Sequence, residues 1–206
     1  MDGHIKHVVF DIGKVLIHYD PDLPFQRIIP DAEKRAWFFD NVCTSAWNIE
    51  QDRGRSWQTA ETLAIEQHPD WADEIRAFRL NWPEMVPHAY DETVNILLSL
   101  LEAGHDVTFL TNFAADTFVE AQEMYPFLKA GRGVTVSGRV KLIKPDPAIY
   151  ALHTQTFELD PAATLFIDDS AANVEAARAF GWQAIHFTDA ELLPAALEGF
   201  GVAATA

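Results

Sequence analysis

The chain has 206 residues, 49% of them hydrophobic, enough for one sizeable core and a small additional unit. Its 15 basic side chains face 31 acidic ones, a formal net charge of −16, which argues against nucleic acid or an anionic membrane surface as partner. Cys43 is the one cysteine, so no internal disulfide forms. The N-terminal apolar run is too short for a signal peptide, and no apolar run approaches the roughly 20 residues that span a bilayer. A soluble cytoplasmic protein is the expectation, with no oligomeric state assigned.

His7–Ile12 reads as a buried strand. Residues 19–88 differ in texture: they hold Trp37, Trp47, Trp57, Trp71 and Trp82 and show helical spacing, as in DAEKRAWFFDNV and SWQTAETLAIEQH, with no strand pattern. Ser56 is an N-cap candidate, and Pro69 is placed to open a further helix. From Asp91 onward strands and helices alternate. DETVNILLSLLEAGHD is a helix ending at Gly104, VTFLTN a strand, AADTFVEAQEMY a helix and GVTVS a short strand. PDPAIYALHTQTF is a helix opened by proline, ATLFIDD a strand and SAANVEAARAFG a helix ending at Gly181. QAIHF is the last strand, DAELLPAALEGF the last helix, and GVAATA a tail expected to fray. This alternation predicts an α/β fold, a Rossmann-like parallel sheet with helices on both faces. Residues 1–18 and 89–206 form the expected core, and 19–88 a helical insertion after the first strand.

In open α/β sheets ligands bind beyond the carboxyl ends of the strands, so those residues carry the functional reading. They are Asp11, the pair Thr111 and Asn112, and the pair Asp168 and Asp169, joined by Lys144 in the loop VKLIKPDPAIY. Singly, each reads as a turn residue, a helix cap or a solvated lysine. Together they are the inventory for phosphoryl transfer through an aspartyl phosphate. Asp11 is the candidate nucleophile. Asp11 and Asp168, with Asp169 as a further or outer ligand, offer Mg²⁺ the oxygen donors it prefers. Thr111, Asn112 and Lys144 are candidate phosphate-binding groups.

The pieces VVFDIGKVL, TFLTN, KPDPAIY and LFIDDSAANVEAARAFGW resemble the haloacid dehalogenase (HAD) superfamily of hydrolases, in that family's order and over the whole sheet domain. The insertion resembles the helical C1-type cap. This resemblance implies a Rossmann-like core, an Asp11 nucleophile, Mg²⁺ dependence, and a cap that closes over a small phosphorylated metabolite. It also implies that the Gly13 carbonyl binds the metal.

One position departs from the family pattern. Typical phosphatases of the family carry a second aspartate two residues after the nucleophile, where it moves the proton; this chain has Gly13. General acid–base help is typically worth 10²–10⁴-fold. Three readings follow. The chain is a phosphatase, akin to sugar-phosphate phosphatases with an Asp-x-Gly motif, in which His18, Asp20, a cap residue or water moves the proton. It is a 2-haloacid dehalogenase-like hydrolase, although that branch works without metal and typically has an aromatic at this position. Or it is a non-catalytic member that binds a phosphorylated ligand. The pair Asp168 and Asp169, with Asp11 and Lys144, favours the first. Substrate choice is expected in the insertion: Trp47, Arg53, Arg55 and Trp82 are candidate contacts, against tryptophan packing and a solvated Arg53-Gly54-Arg55 turn as the plain readings. Phe113 is placed to line the pocket entrance.

Overall fold

A computed structural model describes residues 4–203. The chain runs β1 (His7–Phe10), α1 (Asp22–Ile28), α2 (Ala32–Asn41), α3 (Ser45–Asp52), α4 (Trp57–Gln67), α5 (Ala72–Leu80) and α6 (Trp82–Met85). It continues through α7 (Asp91–Glu102), β2 (Asp106–Thr111), α8 (Ala115–Met124), β3 (Val134–Val136) and α9 (Ser137–Val140). It ends with α10 (Pro147–Thr156), β4 (Thr164–Asp168), α11 (Ala171–Phe180), β5 (Gln183–His186) and α12 (Leu193–Gly199). The expected alternation is present, as are the left-handed glycines after α7 and α11, Gly104 and Gly181. Ser56 caps α4 by accepting from the Thr59 amide. Pro69 opens a 3₁₀ turn that runs into α5 rather than a helix of its own. The last predicted helix is split: a 3₁₀ turn over Ala190–Leu192 precedes α12, because Pro194 is tolerated only in a first helical turn. Of the tail expected to fray, 204–206 lie outside the described residues, but Val202 is buried and its amide bonds to Leu197.

The five strands are parallel in the order β3-β2-β1-β4-β5. Alternation along each strand splits the core into two layers. Val8, Phe10, Val107, Phe109, Leu165 and Ile167 face one side, with residues of α7, α8, α12 and the insertion. Val9, Leu110 and Phe166 face the other, against Ile149 and Tyr150 of α10 and Val174 and Ala177 of α11. The chain leaves β1 for β2 on one side and returns to β4 on the other. That reversal opens a crevice at the carboxyl ends of β1 and β4, the usual ligand position in such sheets.

The segment between β1 and α7 is helical, as its spacing predicts. An aromatic cluster centres it: Phe25 stacks on Phe38 at 5.2 Å, and Trp47 meets Phe78 edge-on at the same separation. The two connections to the sheet lie side by side, with Ile17 bridged antiparallel to Ala89 and the His18 amide bonded to His88. Trp82 packs edge-on against Phe113, which follows β2. Gly54, at φ +100°, lets the α3–α4 turn approach α9 so closely that a Cβ there would stand 3.0 Å from the Gly138 carbonyl oxygen.

Candidate active site

Asp11 is the first residue past β1, held to β4 by a 2.9 Å bond from its amide to the Ile167 carbonyl. Its Oδ1 accepts from the Ile12 amide at 2.7 Å, which points the carboxylate into the crevice side of the turn. Asp168 closes β4, the neighbouring strand, so the register of β1 on β4 places both carboxylates at one rim. Lys144 lies between them, its Nζ 2.9 Å from Asp11 Oδ1 and 2.6 Å from Asp168 Oδ2. The Asp168 carboxylate also accepts from the Ser170 amide at 2.8 Å and from Asn173 Nδ2 at 2.9 and 3.1 Å. It is thus fixed from three directions.

Asn112 sets the position of the Lys144 loop. Its Oδ1 accepts from the Lys144 amide at 2.9 Å, and its Nδ2 donates to the Lys144 carbonyl at 3.0 Å. The Thr111 hydroxyl is buried at the end of β2 with no hydrogen-bond partner. An orphaned hydroxyl there costs about 1–3 kcal/mol unless something takes its bond, although Thr111 is not among the residues that line the cavity over Asp11.

Burial alone would lower the Lys144 ammonium, but the Asp11 and Asp168 carboxylates overcome it and hold the lysine charged. Burial raises the Asp11 carboxyl above its ordinary value, opposed by Lys144 and reinforced by Asp168. Burial and Asp168 likewise raise Asp169. Asp11, Asp168 and Asp169 offer carboxylate oxygens within 4.8 Å of one another. Three carboxylates against one ammonium leave a formal −2, which a single divalent cation neutralises. The donors are all oxygen, so the set fits Mg²⁺.

A cavity of about 360 Å³ opens over this cluster, bounded by Asp11, Gly13, Lys144 and Asp169 from the sheet and by Tyr19, Ile49 and Asp52 from the segment after β1. A narrower recess of about 90 Å³ continues from it under Tyr19, Trp57, Trp82 and Phe113. Gly13, Tyr19, Asp52 and Asn112 border both.

The other sequence candidates fall elsewhere. His18 stacks on His88 and bonds Tyr90 Oη at 3.0 Å, outside both cavities. Asp20 accepts from the Asp22 amide at the start of α1 and borders a different cavity. Arg55 donates to Gln51 and to the Trp47 carbonyl, a structural tie within the turn, and Arg53 pairs with Glu50. Trp47 packs in the aromatic cluster of the insertion, whereas Trp82 and Phe113 do line the recess. Sequence reasoning missed Asp52, Lys14, Tyr19 and Asn173. Lys14, at φ +59°, faces the cavity beside Asp169. A lysine directly after Gly13 in a tight turn was the available signal for it; for Asp52 nothing in NIEQD says which way the carboxylate faces.

The sesquiterpene phosphatase astK of Aspergillus oryzae is 31% identical over 195 residues, which is 89% of this chain and 90% of that protein. The HAD family enzyme bt-2542 of Bacteroides thetaiotaomicron has the same fold, with a TM-score of 0.72 at 21% identity over 90% of this chain and 94% of that one. Its complex with magnesium and inorganic phosphate superposes with a TM-score of 0.69 at 22% identity, covering 89% and 94%. The family model described as haloacid dehalogenase-like hydrolase matches residues 5–181, from the strand that carries Asp11 to the end of the helix after Asp169. The chain therefore belongs to the haloacid dehalogenase-like hydrolases, and it is a hydrolase.

Proposed function

We propose that this protein is a Mg²⁺-dependent phosphatase that hydrolyses a small phosphate monoester through a phosphorylated Asp11. The observation that carries the reading is the cluster of Asp11, Lys144, Asp168 and Asp169 at one rim of the sheet, within the distances given above. Asp11 attacks phosphorus, and the bond to the ester oxygen breaks. Lys144 balances the charge gathering on the phosphoryl oxygens, and the Thr111 hydroxyl donates to one of them. Asn112 acts through Lys144, by holding its loop. Asp11, Asp168, Asp169 and the Gly13 carbonyl are the groups that would hold magnesium. When bound, the ion screens the repulsion between a carboxylate nucleophile and an anionic phosphate.

Residues 19–88 act in this reading as a cap over the core, 1–18 and 89–206. Ile49, Asp52 and Tyr19 of that segment already wall the cavity. For the substrate, the lining of the recess favours the phosphate of an apolar alcohol over the sugar phosphate that the sequence suggests. The recess beside Gly13 has an aromatic and aliphatic wall of Tyr19, Trp57, Trp82, Phe113, Ile17 and Val86 suited to hydrocarbon, with Asn48, Asp52, Asn112 and Thr117 on its polar side. The name of the sesquiterpene phosphatase relative points the same way.

The test is phosphate release from a panel with and without Mg²⁺, beside Asp11→Asn. The panel holds a sesquiterpenyl monophosphate, a hexose phosphate and a 2-haloacid. Metal-dependent release from the first, absent in Asp11→Asn, supports the proposal. Equal release by Asp11→Asn would remove Asp11 as nucleophile. Halide release from the haloacid with no phosphate release would make the protein a dehalogenase. A preference for the hexose phosphate would return the substrate to the sugar class.

A further inference from the structure

The family's ordinary proton carrier is missing at Gly13, yet the site is not short of a carboxylate facing that space. Asp52 is the last residue of α3 and comes from the opposite wall. It borders both the cavity over Asp11 and the apolar recess, so it stands where the phosphate site meets the space for the alcohol. Gly13 borders the same two spaces, and apart from its chain neighbours no atom lies within 4 Å of where a Cβ at Gly13 would stand. Gly13 and Asp52 thus border one shared space.

Asp52 is held there by the core. The Ser137 hydroxyl, at the start of α9, donates to its main-chain carbonyl at 2.6 Å. The next turn is seated on α9 through the Gly54–Gly138 approach. So an insertion residue is anchored on α9 through both contacts rather than left on a mobile lobe.

We infer that Asp52 is the catalytic acid and base of this site, doing from the cap side what a second aspartate does from position 13 in typical phosphatases of the family. The inference rests on the phosphatase reading. In the first half-reaction Asp11 Oδ forms a bond to phosphorus, the bond from phosphorus to the ester oxygen breaks, and the Asp52 carboxylic acid gives its proton to that oxygen. The products are the free alcohol, the Asp11 phosphate and an Asp52 carboxylate. In the second, Asp52 takes a proton from water as its oxygen attacks phosphorus. The bond from phosphorus to Asp11 breaks, inorganic phosphate leaves, and both aspartates return to their starting states. The electrostatics suit the role. Burial pushes the Asp52 carboxyl up to about 7, with the Ala114 amide opposing and Asp11 adding to the rise. Its place at a helix C-terminus also disfavours the anion. Acid and base forms therefore coexist near neutral pH, the condition under which a group serves both half-reactions.

The experiment compares wild type, Asp52→Asn and Asp52→Ser on two esters in Mg²⁺: hexyl phosphate, whose leaving oxygen needs a proton, and p-nitrophenyl phosphate, whose leaving oxygen does not. Wild type is expected to turn over both. The variants should lose about 10²–10⁴-fold on hexyl phosphate. On p-nitrophenyl phosphate they should show a burst of about one nitrophenolate per enzyme, followed by slow turnover as the Asp11 phosphate waits for activated water. Acid quenching and mass measurement should then find phosphate on Asp11. The inference falls if a folded variant slows both esters equally without a burst, or slows neither. If wild type cleaves neither ester, the phosphatase reading itself falls. Testing both variants separates a misfolded asparagine from a true loss of proton transfer.

Discussion

His153 provides a quantitative check on the layer of the sheet beneath the site. It sits on α10 with no solvent exposure, its Nε2 3.0 Å from Thr108 Oγ1 on β2 and its Nδ1 2.8 Å from Thr135 Oγ1 on β3. No carboxylate pairs with it. Burial pushes its pKa from 6.5 down to about 3, with the Arg132 and Lys144 charges adding to the fall and Asp106 opposing it. The folded chain therefore keeps the ring neutral while the unfolded chain protonates it below 6.5. The unfolded state binds more protons in that window, so stability is fully present above 6.5 and is lost as pH falls towards 3. By linkage the loss is about 2 kcal/mol at pH 5 and on the order of 4–5 kcal/mol once pH passes below the folded value. The assay is urea unfolding at pH 7.5 and pH 5 for wild type and His153→Gln, whose amide can still bond both threonines. Subtracting the two proteins cancels the many carboxylates that titrate in the same range. At pH 7.5 the variant should be less stable by about 1 kcal/mol, the value of an altered hydrogen-bond pair. At pH 5 that deficit should vanish or reverse. A difference that stays constant across the two pH values would refute the reasoning, because the ring would then be taking up its proton in the folded state.

Four further outcomes are expected. Lys144→Met leaves Asp11 and Asp168 buried without their cation, so without divalent ions it should lose about 3–5 kcal/mol in urea unfolding; added Mg²⁺ should narrow that deficit. Chelation should abolish phosphate release by wild type, Mg²⁺ should restore it, and the melting temperature should rise with Mg²⁺ in wild type but not in Asp168→Asn. Trp57→Ala opens the recess, so it should raise KM for an apolar alcohol's phosphate by about 5-fold to 150-fold, from about 1–3 kcal/mol of lost burial, while leaving KM for p-nitrophenyl phosphate within a few-fold. A Cβ at Gly13 has nothing within 4 Å besides its chain neighbours; in an Asp52→Asn background Gly13→Asp should restore turnover of activated esters, and no restoration with the fold intact would show a site built around the glycine.

Much of this protein was legible in one dimension because its causes are local or periodic. Uninterrupted apolar runs such as VVF and LFI mark strands buried on both faces, and strands alternating with helices leave a parallel sheet as the compact solution. Ligands gather where such a sheet ends, so Asp11, Thr111, Lys144 and Asp168 could be picked out from their places relative to the strands. What the sequence left open depends on contacts between segments distant along the chain. His18 lies seven residues after Asp11, yet it stacks on His88 and turns away from the cavity. Arg55 is a charged turn residue whose donors are taken by Gln51 and Trp47. Asn112 spends its amide on the Lys144 backbone, a pairing across 32 residues that no local pattern encodes. Asp52 is 41 residues past Asp11 in an acidic chain with many carboxylates like it. Only the seating of Gly54 on Gly138 and the bond from Ser137 bring it to the wall opposite Gly13. Strand positions and burial follow from composition and period; the order of the strands, and which carboxylate borders the space beside Gly13, follow from how segments dock, and docking is a property of the folded chain alone.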